Sequence, residues 1–281
     1  MKESEPKREN AETEIIKKPK NKGLKSPKSD VENFSLDKAQ LDSLRLEFQD
    51  LSPGDLEKMK TLINECDNSL VSNFKNYFPK KETPGKIPAR ERFLFTDKKT
   101  FERFNEKWLG KLQSGDASYL NKENKGNMRT FLERGDFAAG FVPDIWEKIP
   151  QEMQKKLIDA AGGEKQAKKA IKNMAARYII THELAHLHQD PSLPLWFAES
   201  GAYCYTQETM KKNKWGELNS AQDEAADFYR WLLEKYGDDV HKIYFGQLQD
   251  RKKREKIIFR IYQGKKENIV SRLSRRKGIV P

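Results

Sequence analysis

Apolar residues recur at steps of three and four over residues 56–78, where Leu56, Met59, Leu62, Ile63, Cys66, Leu70, Val71, Phe74 and Phe78 form one stripe. That period is helical, and the run suits a helix of about seven turns. Ser52-Pro53-Gly54-Asp55 ahead of it is a start signal, with a hydroxyl to cap, a proline to open and an acid in the first turn. A shorter helix opened by Asp37 carries Leu41, Leu44 and Phe48 and ends near Leu51. Beyond the break at Pro84-Gly85 the pattern changes to short apolar runs. Residues 92–96 and 136–142 read as strands, the second an edge strand because Pro143 ends it, with Ile145-Trp146 extending the sheet past a kink. Between the strands, Asp97 caps a helix bearing Phe101, Phe104 and Trp108, and residues 110–130 form a polar excursion.

Helical spacing returns after a weak helix at 150–160 and the Gly162-Gly163 break. Ala170, Ile171, Met174, Ala175, Tyr178, Ile179, His182 and His186 line one face, and Asp190-Pro191 ends the run. Pro194 opens Leu195-Trp196-Phe197-Ala198-Glu199-Ser200-Gly201-Ala202-Tyr203. A further helix carries Ala225, Phe228, Tyr229, Leu232, Leu233 and Tyr236 up to Gly237, and another holds Val240, Ile243, Tyr244 and Phe245. Ile257, Ile258, Ile261 and Tyr262 dock a last element. The expected fold class is α+β, mostly helical, with a small sheet before the histidine-bearing helix and a helical C-terminal part.

Charge refines the boundaries. Residues 251–281 hold twelve Lys/Arg against two Asp/Glu and so account for most of the net charge of +11. Residues 1–35 are polar, with too few apolar groups to offset the entropy of ordering, and read as a disordered leader. The organisation is therefore a leader at 1–35, a domain at 36–250, and a basic segment and tail at 251–281. No secretory apolar stretch and no run of membrane-spanning length occurs, so the expected address is cytoplasmic. Cys66 and Cys204 stand far apart in unrelated contexts, which argues against a disulfide framework.

The candidate chemistry lies in His182-Glu183-Leu184-Ala185-His186. On a helix the two imidazoles fall one turn apart on one face, a spacing that suits two corners of a tetrahedral Zn²⁺ site. Glu183 is positioned to take a proton from a water at that ion, which makes it the candidate catalytic base. Glu199, flanked by large apolar groups on the next helix, is the candidate third ligand. Asp190 is the runner-up, although Pro191 disturbs its helical geometry. His188 points about 200° away from His186 and cannot share its ion. Tyr203, Tyr205, Tyr229 and Tyr236 are all open as oxyanion donors, and His241 reads as structural or exposed.

The HELAH pentapeptide together with the PLWFAESGAY segment resembles the peptidase MA-like, gluzincin-type zincin metallopeptidases, over about residues 52–248. The resemblance implies a zincin-like domain, one Zn²⁺ ion held by His182, His186 and Glu199, and hydrolysis of a peptide or protein substrate with Glu183 as general base. Two departures stand out. Ser200 occupies a position where the family usually has Gly, which predicts a different backbone after Glu199, and no Asn-Glu-x-x-x-Asp run supplies a carboxylate behind the histidines. The competing readings are a zincin-fold protein that binds metal without turnover, and a nucleic-acid-associated protein recruited through 251–281. That tail fits an anionic membrane surface equally well. Its charges read as lacking interleaved aromatics, which disfavours base stacking.

Overall fold

The helical periodicities fold into eight helices among the described residues: α1 (Lys38–Phe48), α2 (Pro53–Asn73), α3 (Gln151–Ala161), α4 (Glu164–His188), α5 (Leu195–Lys212), α6 (Asp223–Tyr236), α7 (Asp239–Tyr244) and α8 (Arg251–Arg276). Three short strands accompany them: β1 (Phe93–Phe95), β2 (Phe131–Arg134) and β3 (Phe137–Gly140). The computed structural model describes residues 38–48, 51–78, 87–95, 97, 99–100, 131–134, 137–142, 144–190, 193–216, 223–248 and 250–276, all within one unit spanning 34–281. The expected leader, the helix at Phe101–Trp108 and the polar excursion at 110–130 lie outside the described residues.

The start signal of α2 works as its residues imply. Ser52 Oγ accepts from the Asp55 backbone N–H at 3.2 Å, and Pro53 sits where no intrahelical donor is needed. Cys66 and Leu70 on its stripe are fully buried. Burial pushes the Cys66 and Cys204 thiols up to about 12, so both are packed, protonated side chains. Asp97 also caps as expected, its Oδ1 accepting from the Thr100 N–H at 2.9 Å.

The sheet departs from expectation in three ways. Its order is β1-β3-β2, so β3 is the central strand and not an edge. It pairs parallel with β1 (Phe93↔Ala138) and antiparallel with β2 (Phe131↔Gly140). The strand β2 has no counterpart in the pattern reading, because its four residues follow directly on a polar stretch. Past Pro143 the chain does not extend the sheet. Trp146–Lys148 form a 3₁₀ turn that buries Trp146 against Ala167 and Ile171 of α4.

α4 is the central element, packed against α2, α3, α5 and both β2 and β3. Gly162 closes α3 in the left-handed conformation, φ 73°, which a side chain would strain. The first half of α4 buries a single stripe through Ala167, Ile171 and Ala175, with Ala170 exposed contrary to expectation. Its second half is enclosed almost all round. Ile180 and Leu184 are fully buried in the main core with Ala185 and Leu187, while His182 and His186 occupy the adjoining face. Buried Arg92, in the turn before β1, donates to Leu187 O at 2.8 Å, a cation satisfying the carbonyl end of α4.

The C-terminal segment docks as its apolar pattern predicts, with Ile257 and Ile261 buried. The backbone stays helical as far as Arg276, well into the stretch expected to be a loose tail. Among the described residues no helix is long and apolar enough to cross a membrane.

Candidate metal centre

His182 and His186 are four positions apart, and α4 therefore presents both imidazoles on one face with their rings 4.7 Å apart. α5 begins with Pro194 as its N-cap and places Glu199 in its second turn, opposite those rings. The Nε2 atoms of His182 and His186 are 3.2 Å apart, and Glu199 Oε2 lies 3.5 Å from the first and 3.7 Å from the second. Ligand atoms at Zn–N and Zn–O distances of roughly 2.0–2.2 Å in a tetrahedron stand about 3.4 Å from one another. The triangle therefore already has the size of three tetrahedral corners. Two nitrogens and one carboxylate oxygen are a donor set suited to Zn²⁺. His182, His186 and Glu199 form a candidate metal-binding triad.

Its electrostatics favour a cation. Burial lowers the His182 pKa below the usual histidine range, opposed by the Glu199 carboxylate and reinforced by His186. The ring therefore stays neutral with a lone pair to offer. Burial would raise the Glu199 carboxyl, but the two histidines outweigh it and hold that group well below the usual carboxylate range. His182 thus offers a neutral nitrogen and Glu199 an anionic oxygen.

Gln189, at the C-cap of α4, is a site residue that pattern reading missed. Its Oε1 lies 2.9 Å from His186 Nδ1 and accepts that N–H, so the Nε2 lone pair is turned toward the triad. The acceptor behind His186, for which the sequence offered no carboxylate run, is an amide three residues along. The i, i+3 relation of Gln189 to His186 was the available signal. His182 has no such partner: its buried Nδ1 makes no hydrogen bond among the described residues, and the Tyr203 ring packs at 4.2 Å instead.

The backbone after Glu199 is a regular helix, against the expectation raised by Ser200. Ser200 Oγ donates to Trp196 O at 2.6 Å and stays within the turn. The glycine is needed one residue later. A Cβ at Gly201 would overlap the Tyr244 ring and come within 3.1 Å of Tyr229. Tyr244 is fully buried, and its hydroxyl donates to Ala185 O at 3.3 Å. A single side chain from α7 therefore touches the histidine helix beside His186 and the glutamate helix beside Glu199.

The remaining candidates sort by position. Asp190 is not in the triad, because Arg254 Nη2 holds its Oδ2 at 2.6 Å and its N–H donates to Tyr244 O. His188 pairs with buried Asp67 at 2.7 Å and packs edge-on against Phe78, tying α4 to α2. His241 is buried, with Nδ1 2.6 Å from the Tyr205 hydroxyl, which in turn lies 2.7 Å from that of Tyr229. Those two tyrosines are enclosed in the core, and the Tyr236 hydroxyl donates to Arg260 O, so of the four tyrosines only Tyr203 packs on a triad residue. Glu183 is half-buried on α4, one residue after His182.

No protein-family model, curated protein or solved structure matches the chain. The fold and site by themselves define a mostly helical α+β protein whose candidate three-residue metal site follows its small sheet in chain order.

Proposed function

We propose that this protein is a zinc-dependent metallopeptidase of zincin-like, gluzincin type. The observation that carries the reading is the His182–His186–Glu199 triangle, whose sides of 3.2, 3.5 and 3.7 Å fit one ion. His182, His186 and Glu199 would hold the ion. When bound, Zn²⁺ supplies a Lewis acid that polarises a scissile carbonyl and acidifies a water. Glu183 would accept a proton from the attacking water and pass it to the departing amine. A carboxylate at this position is not needed for binding alone, which favours turnover over a metal-holding relic. Tyr203 is the candidate oxyanion donor, from its packing against His182. Substrate alignment falls to an edge of the sheet. With β3 central, β2 takes that role, since one side of it is unpaired among the described residues and it packs near α4.

Metal analysis of wild-type protein, Glu199→Ala and Glu183→Gln, joined to a peptide-library cleavage assay, tests the proposal. Wild type retains one zinc and cleaves, Glu199→Ala loses the ion, and Glu183→Gln keeps the ion without cleavage. Zinc retained by wild type with no cleavage of any peptide supports the metal-holding alternative. Zinc retained by Glu199→Ala removes that residue from the ligand set.

A further inference from the structure

Helix α8 carries an exposed face that the metal site does not use. Lys252, Lys256 and Phe259 fall within roughly 60° of one another around the helix, on the side away from buried Ile257 and Ile261. Phe259 is 62% exposed and Tyr262, one turn further on, 46%. Aromatic rings do therefore stand among these charges, contrary to the pattern reading. Beside this crest lies a cleft of about 330 Å³ lined by Lys235, Lys253, Lys256 and Arg260, with Asp239 as its acid. Asp239 is neutralised twice over, by Lys253 at 3.0 Å and Lys242 at 3.3 Å, and Glu255 is matched by Arg251 at 2.9 Å. No ion pair involves Lys252, Lys256 or Arg260 among the described residues. The face keeps its positive charge and adds a bare apolar ring to it.

We infer that this face of α8 docks the protein on an anionic lipid surface, with Phe259 entering the interface and Lys252, Lys256 and Arg260 meeting headgroup phosphates. A phenylalanine on the crest of a helix, with lysines level with it on one side, matches how interfacial helices bind: the ring sits below the headgroups while the ammonium groups stay among them. Each lysine near such a surface adds attraction that salt screens. Single-stranded nucleic acid is the poorer match, because stacking proteins present rings inside a groove that tracks the backbone, whereas exposed Phe259 does not line the neighbouring cleft. The inference is independent of whether the triad binds zinc.

The test is co-sedimentation of the full chain with vesicles of phosphatidylcholine alone, or with about one third phosphatidylglycerol, at low and high salt. Binding is expected to the anionic vesicles only, falling tenfold or more at high salt. Lys252→Glu with Lys256→Glu should reduce it at least tenfold, and Phe259→Ala several-fold. These residues are exposed, so the variants are expected to fold, and unchanged circular dichroism verifies it. A Phe259→Trp variant should show blue-shifted emission with anionic vesicles and none with neutral ones. Absence of anionic-vesicle binding, or binding that ignores all these substitutions, overturns the inference. Tighter binding to a single-stranded oligonucleotide, lost in the same variants, also overturns it and assigns the face to nucleic acid.

Discussion

Gly201 and the ring of Tyr244 occupy adjoining space so closely that no side chain fits between them. Tyr244 reaches Ala185 O on the other side, so this contact sets the separation between the two helices that carry the triad. Gly201→Ala should destabilise the fold by about 1–3 kcal/mol through overpacking, and should also weaken zinc binding by displacing Glu199. Thermal unfolding and a competitive zinc titration read the two effects separately. Tyr244→Phe, which keeps the ring and loses only the hydroxyl, should leave zinc affinity nearer to wild type than Gly201→Ala does.

Gln189 holds the His186 ring through Nδ1. Replacing it with Leu should lower zinc affinity by about 10–100-fold while the fold persists, since the partners that orient metal ligands typically contribute that much. Gln189→Glu should retain most of the affinity, because a carboxylate accepts the same N–H. Equal affinity in wild type and Gln189→Leu would show that the hydrogen bond plays no orienting part.

His241 predicts an acid-sensitive fold. Burial pushes its pKa down to about 4, opposed by Asp238 and helped by Lys212. Below a pH of about 6.5 the unfolded chain binds a proton that the folded chain refuses, so stability falls as pH drops from about 6.5 towards about 4, then levels off. The loss is on the order of 3 kcal/mol from this group. His241 Nδ1 lies 2.6 Å from the Tyr205 hydroxyl, and once protonated it can only donate to that oxygen. Urea unfolding at a series of pH values measures the slope, and His241→Gln should flatten it over this range.

Metal removal should lower stability. An ion held only by the folded state stabilises it by about 2.7 kcal/mol when free zinc stands at a hundred times its dissociation constant. Chelation should therefore reduce the unfolding temperature of wild type and leave His182→Ala unaffected. An unchanged midpoint on chelation in wild type would deny the triad a tightly bound ion.

The α2 stripe and its Ser52 cap, the histidine pair and the carboxylate facing it were all legible, because each is a matter of helical period or end chemistry within a few residues. Glu199 was legible through its setting, a carboxylate among Trp196, Phe197 and Ala202 on a helix that had to return. Other features depended on partners distant along the chain. β2 carries no alternation of its own and exists through pairing with β3. Ser200 looked like a disturbance of the helix and is absorbed by one hydrogen bond to Trp196 O. The Asp190 carboxylate was the runner-up ligand, and Arg254 of α8 holds it instead.

By itself, the sequence determined which groups could meet an ion, since a four-residue step on a helix turns His182 and His186 the same way wherever that helix lies. It also determined the apolar face on which those histidines lie, through Ile171, Ala175 and Ile179. Only the tertiary structure decided that Glu199 comes to 3.5 and 3.7 Å from those nitrogens, that β3 is central, and that Tyr244 spans the two ligand helices. Period and capping act between near neighbours in the chain. The gap between two helices is set by the volumes of side chains packed between them, and those arrive from residues 40 or more positions away.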